Sequence, residues 1–214
     1  MIERAIAAAT HGRYLVDVPS TGGPWPLLVG FHGYAEGVDP QFERLRSTPG
    51  ADRWLLVAIQ GLHRFYRGRS NDVVAGWMTR QDRELAIADN LAYVASVVGA
   101  VSREWKTDGR VVCAGFSQGV AMAFRAAASM KADGVIALGG DVPPELEPAA
   151  LATISAVLIA RGTRDQWYTS EMHEADVRRL RASGTAVDVV AFNAGHEWTP
   201  EFSRAAADFL ARWR

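Results

Sequence analysis

Six stretches of the chain are close to unbroken apolar runs: residues 26–31 (PLLVGF), 54–59 (WLLVAI), 110–114 (RVVCA), 134–138 (GVIAL), 156–160 (AVLIA) and 187–192 (VDVVAF). A strand with one face in water alternates apolar and polar residues. A strand covered on both faces does not, and runs of this kind mark a parallel sheet enclosed by helices. Residues 13–18 (RYLVDV) alternate in part and are expected at a sheet edge. Helical patterns fall between the runs. Over residues 82–106, Ile87, Leu91, Val94, Val98, Val101 and Trp105 recur at steps of four and three and make one apolar stripe. Thr79 followed by Asp82 reads as the start signal of that helix. Residues 117–130, 170–183 and 199–213 are further helices, and Gly184 stands where the second of these should stop. Repeated strand–helix alternation predicts an α/β fold, a mostly parallel central sheet with helices on both faces. No linker, repeat or low-complexity tract interrupts it, so residues 1–214 read as a single domain. Residues 61–81 and 139–148 read as irregular, and neither carries an amphipathic helix that could serve as a large lid.

Composition narrows the function classes. The formal net charge is −1 and no basic stripe is present, so no nucleic acid and no anionic membrane is expected as a partner. Cys113 is the only cysteine, so no intrachain disulfide can form. The opening MIERAIAAATHGR lacks the apolar core of a signal peptide, and no run approaches the length of a bilayer span. A soluble, cytoplasmic protein is the expectation.

The most informative stretch is RVVCAGFSQGVAMAFRAAASM, residues 110–130. A buried strand runs into a buried helix through Gly115-Phe116-Ser117-Gln118-Gly119. A turn this tight strains the central residue and needs small neighbours to clear the adjoining strand. This is the G-x-S-x-G nucleophile elbow, which lifts a serine hydroxyl above the sheet at a helix N-terminus. The helix end adds partial positive charge where an oxyanion would form. Ala123, Ala126 and Ala127 let the helix lie close to the sheet.

A serine nucleophile needs a base, and the base an orienting acid; on this type of elbow the chain order is Ser, Asp or Glu, His. Two histidines follow Ser117. His173 lies inside a predicted helix and reads as a surface residue. His196 follows the 187–192 strand in NAGHEWTP, a strand-end loop where a catalytic group of an open α/β sheet should sit. Asp165, in RGTRDQW after AVLIA, is the expected acid. Asp141, one strand earlier, is its competitor, and Glu197 is aimed elsewhere from the histidine's own loop. The oxyanion donors are expected to be the backbone N–H of Gln118 and, from the loop His32-Gly33-Tyr34 after PLLVGF, that of Tyr34. His32 reads as structural.

The chain resembles the phospholipase/carboxylesterase branch of the α/β-hydrolases, which includes acyl-protein thioesterases. FHGYAEG, GFSQG, RGTRDQW and AGHEW carry the resemblance, in that order, over nearly the whole chain. It implies an α/β-hydrolase fold with Ser117 as nucleophile, Asp165 as acid, His196 as base, and Tyr34 and Gln118 as oxyanion donors. It implies a carboxylic-ester hydrolase acting on small-molecule esters or thioesters through an acyl-enzyme, with no cofactor and no metal; a homodimer is left open. The family's acyl-site tryptophan is matched by Trp77, although Met78 and Thr79 replace the aromatic and aspartate that often follow it. Related dienelactone hydrolases carry a cysteine at the elbow, against which Ser117 stands.

Trp77, Trp167 and Trp198 flank the predicted site strands, and Phe65 and Tyr66 lie in the loop after WLLVAI; together they are candidates for an apolar acyl pocket. Arg64, Arg67 and Arg69 beside them read as a solvated loop face, with recognition of an acidic leaving group as the alternative. Short to medium acyl chains are expected. A serine peptidase, a lactonase and a non-catalytic ligand-binding protein share these features, since fold and residue types do not fix the substrate.

Overall fold

The computed structural model describes residues 1–213. Its strands are β1 (Tyr14–Asp17), β2 (Trp25–Phe31), β3 (Leu55–Ile59), β4 (His63–Tyr66), β5 (Val73–Gly76), β6 (Thr107–Phe116), β7 (Gly134–Leu138), β8 (Ala156–Gly162) and β9 (Ala186–Phe192). Its helices are α1 (Val38–Arg46), α2 (Arg83–Glu104), α3 (Gln118–Met130), α4 (Pro148–Leu151), α5 (Ser170–Ala182) and α6 (Pro200–Leu210). Seven strands form one sheet in the order β1-β3-β2-β6-β7-β8-β9. Only β1 runs antiparallel, pairing with β3 at the edge, as its partial alternation predicts.

The apolar runs of β2, β3, β6, β7 and β8 are unbroken because each of these strands feeds two cores. By contrast β9, expected to be covered on both faces, ends the sheet and stays largely open, with Val189 41% exposed. On one face lie Leu27, Val29, Val57, Cys113, Val135 and Val157, covered by α2, α3, α4 and α5. On the other lie Leu28, Leu56, Val112, Ile136 and Leu158, covered by α1 and α6. Successive side chains point to opposite faces of a strand, so two buried faces require apolar residues at every position.

Several local expectations need correction. The buried positions of α2 are Ala86, Asn90, Val94, Val97 and Val101, while Ile87, Leu91, Val98 and Trp105 are only partly covered. Asn90 makes the difference. Its amide donates to the Trp77 and Ala86 carbonyls (2.9 and 2.8 Å) and accepts the Leu62 N–H (3.3 Å), so a polar residue occupies the centre of the buried face. The helix starts at Asp82, held at φ 49° with no side-chain cap, and Thr79 donates to the Gln81 carbonyl instead. By length and composition α2 could cross a bilayer, contrary to the expectation that no segment could; here Val94, Val97 and Val101 pack on the sheet. Residues 61–81 are not irregular throughout, because β4 and β5 pair as an antiparallel hairpin. The sequence reading also misses α1, which buries only Val38, Gln41 and Leu45 along a largely polar segment.

Candidate active site

Ser117 sits between β6 and α3 at φ 53°, ψ −123°, a backbone conformation that side chains adopt only when the surroundings enforce it. Its N–H donates to the Leu138 carbonyl of the neighbouring strand (2.9 Å), and its carbonyl accepts the N–H of Val120 (2.9 Å). The flanking glycines are a matter of space. A Cβ on Gly115 would lie 2.5 Å from the Gly119 oxygen and 2.6 Å from the Val120 Cα. One on Gly119 would overlap the Phe31 carbonyl and lie 2.6 Å from that of His32. Both positions therefore let α3 start directly against β2 and β6. Cys113, four residues before the serine, faces the core, and burial pushes its thiol pKa up to about 12.

Strands β8 and β9 are neighbours, with Gly162 opposite Phe192, so the loops that follow them emerge side by side. His196 Nδ1 lies 2.7 Å from Asp165 Oδ2. The other carboxylate oxygen of Asp165 accepts the N–H groups of Trp167 (2.8 Å) and Tyr168 (3.0 Å), which fixes the acid from behind. Arg161, buried and unnoticed in the sequence, donates to the Tyr168 carbonyl (3.2 Å) and lies 3.5 Å from that of Asp165. Asp141 lines the same cavity but makes no hydrogen bond to His196. Glu197 accepts the N–H of Gly195 within its own loop (3.2 Å).

Ser117 and His196 line one cavity of about 380 Å³, together with Tyr34, Gln118, Trp167 and Met172. The backbone N–H groups of Tyr34 and Gln118 have no hydrogen-bond partner among the described residues. The Gln118 side chain is engaged elsewhere: it accepts from the Trp77 N–H (2.9 Å) and donates to the Met78 carbonyl (3.1 Å). His32 is structural. It is fully buried, its Nδ1–H donates to the Gly33 carbonyl (2.7 Å) and its Nε2 accepts the Gly61 N–H (2.9 Å). Burial holds its pKa below the ordinary histidine value.

The aromatic expectations divide. Trp167, 79% exposed, does line the cavity. Trp77 does not: it is wholly buried, its ring tilted by 32° against that of His32 at 5.0 Å, with its indole N–H donating to the His32 carbonyl (2.8 Å). It supports the Tyr34 loop from below. Trp198 packs edge-on against Phe202 at 4.6 Å, donates to Ser203 Oγ (3.0 Å) and opens on a separate surface cleft. Phe65 and Tyr66 lie on the β4–β5 hairpin outside the cavity lining; Phe65 packs at a tilt against the Tyr34 ring at 5.4 Å, and Tyr66 points to solvent. His173 is not a surface residue. It is buried on the inner face of α5, edge-on to Tyr168 at 5.7 Å. Tyr168 and Met172 are lining residues the sequence reading missed. Tyr168 is three residues beyond Asp165, and Met172 is on the first turn of α5, so their positions depend on how that helix docks.

The strand order, the strained serine after β6 and the Asp–His contact at the ends of β8 and β9 define an α/β-hydrolase. The chain belongs to the phospholipase/carboxylesterase family, whose sequence profile matches residues 72–214, and is a hydrolase of that family. Among solved structures, it is similar to Zea mays acyl-protein thioesterase 2 (18% identity, TM-score 0.75, covering 94% of this chain and 99% of that one). It is also similar to a Bacillus cereus carboxylesterase (16% identity, TM-score 0.71, covering 94% of each chain). At these identities the likeness is one of fold. No curated protein matches the chain.

Proposed function

We propose that the protein is a serine carboxylic-ester hydrolase that cleaves short to medium acyl esters or thioesters through an acyl-enzyme on Ser117. The observation that carries this reading is the 2.7 Å contact between His196 Nδ1 and Asp165 Oδ2 at the wall of the cavity that Ser117 also lines. His196 takes the Ser117 proton through Nε2 as Oγ attacks the acyl carbonyl, and Asp165 holds the ring through Nδ1–H. The Tyr34 and Gln118 N–H groups receive the oxyanion, a contribution of about 3 kcal/mol per donor in comparable sites. His196 then protonates the leaving alcohol or thiol. A water deprotonated by the same ring attacks the acyl-enzyme, and the carboxylic acid departs. The family assignment and the fold shared with a thioesterase and a carboxylesterase support this chemistry. The same reading places the enzyme in the cytoplasm, in keeping with its single, buried cysteine.

The test is a fluorophosphonate probe with the adduct mapped by mass spectrometry, alongside ester, thioester, lactone and peptide substrates. Labelling at Ser117 and ester or thioester turnover lost in Ser117→Ala are expected. Labelling elsewhere, undiminished activity in Ser117→Ala, or turnover of peptides or lactones alone would overturn the proposal.

A further inference from the structure

Asp141 is the one residue of the cavity wall with a carboxylate that the ester chemistry does not use. It follows the two glycines after β7, is exposed, and has no ion-pair or hydrogen-bond partner among the described residues. The rest of the wall offers no competing free charge: Trp167 and Met172 are apolar, and His196 is bonded to Asp165. The backbone on both sides of Asp141 is held. A Cβ on Gly140 would lie 2.8 Å from that of Val120, so this residue packs directly on the helix that Ser117 opens. Val142 is buried; its N–H donates to Asp176 Oδ2 (3.0 Å), which also accepts the Tyr168 hydroxyl (3.0 Å). Arg179 donates to the carbonyls of Val142 (2.9 Å) and Pro143 (3.1 Å). A charge on a fixed rim selects ligands better than one on a mobile loop, because no ordering cost offsets its attraction.

We propose that Asp141 sets the charge preference of this site: the favoured substrates are esters or thioesters that carry an ammonium group within reach of the rim. The inference rests on the hydrolase reading above. The exposed indole of Trp167 supplies a second contact for such a cation through its π face. Substrates with a phosphate or carboxylate at the same place are disfavoured by like-charge repulsion.

The experiment compares butyrylthiocholine with its uncharged isostere, 3,3-dimethylbutyl thiobutyrate, in the wild type and in Asp141→Asn, which keeps the side-chain shape. The wild type is expected to favour the cation by about fivefold in kcat/KM, as suits a partly exposed pair. Asp141→Asn should bring the ratio close to one, and added salt should shrink it in the wild type only. A wild-type ratio near one, or a preference that survives Asp141→Asn, overturns the proposal while leaving the hydrolase reading intact if the neutral thioester is cleaved. Calorimetric binding of benzyltrimethylammonium gives a readout without turnover. Weaker binding to Asp141→Asn supports the cation site even if neither thioester is cleaved, and equal binding refutes it.

Discussion

Asp165 is held from two sides, with one carboxylate oxygen 2.7 Å from His196 Nδ1 and the other accepting the Trp167 and Tyr168 N–H groups. The acid cannot turn away from the imidazole without releasing two backbone donors. Asp165→Asn can keep its one amide oxygen on those donors, but it then turns an amide N–H toward Nδ1 where the carboxylate oxygen accepted. The fold should survive, while kcat falls by up to about 10⁴-fold, the loss seen for the same substitution in a serine protease. Circular dichroism and ester kinetics on the purified variant check this. Activity within tenfold of wild type would show that another group orients His196.

The elbow glycines should behave as space requirements rather than flexible points. In Gly119→Ala the new methyl meets the carbonyls of Phe31 and His32, which belong to a central strand and its loop and cannot withdraw. Overpacking of this kind costs roughly 1–3 kcal/mol, and each kcal/mol lowers Tm by about 2–4 °C in a chain of this size. A thermal melt decides. A variant that melts with the wild type would mean α3 can start further from β2 than it does here.

Stability should fall as pH drops below the ordinary histidine range. Burial lowers the pKa of both His32 and His173 in the folded chain. Between that lowered value and about 6.5 the unfolded chain binds protons that the folded chain does not, so unfolding becomes more favourable as pH falls. Each histidine contributes a slope of about 1.4 kcal/mol per pH unit in that window. Urea titrations from pH 7.5 to 5 should show the loss, and His173→Leu should reduce the slope. An unchanged slope in that variant would mean His173 already titrates at its ordinary pKa.

Acyl-chain length should matter only until the cavity is filled. Each buried methylene contributes about 0.8 kcal/mol, close to fourfold in kcat/KM. The cavity is about 380 Å³ and no helix of the chain closes over it among the described residues, so the gain should stop at medium chains. The measurement is a p-nitrophenyl ester series from acetate to palmitate, run below and above the solubility limit. A continuing rise to palmitate, or a jump in rate on micelle formation, would reveal a tunnel or a mobile cover.

Much of this protein is determined by sequence alone, because the features concerned are local or obey a strict period. Unbroken apolar runs mark strands buried on both faces, as β2, β3, β6, β7 and β8 are; the run at 187–192 nonetheless falls on the open edge strand β9, because which strand ends the sheet is set by tertiary pairing. Gly-x-Ser-x-Gly between a strand and an alanine-rich helix requires the tight turn, since no larger residue clears the carbonyls of β2 or the start of α3. Tertiary structure decided everything that depends on which elements become neighbours. His196 meets Asp165 and not Asp141 because β9 pairs with β8, while β7 lies one strand further in. Trp77 and Trp198 look like pocket residues in sequence, yet hydrogen bonds to the His32 carbonyl and to Ser203 draw them into the packing. Asn90 and His173 occupy buried helix faces that their polarity disguises, each satisfied by partners from elsewhere in the fold: the Trp77 carbonyl and the Leu62 N–H for Asn90, the Ile159 carbonyl for His173. Polar side chains carry no periodic signal of burial. Their place is set by backbone groups brought to them from distant parts of the chain, and only the assembled fold supplies those groups.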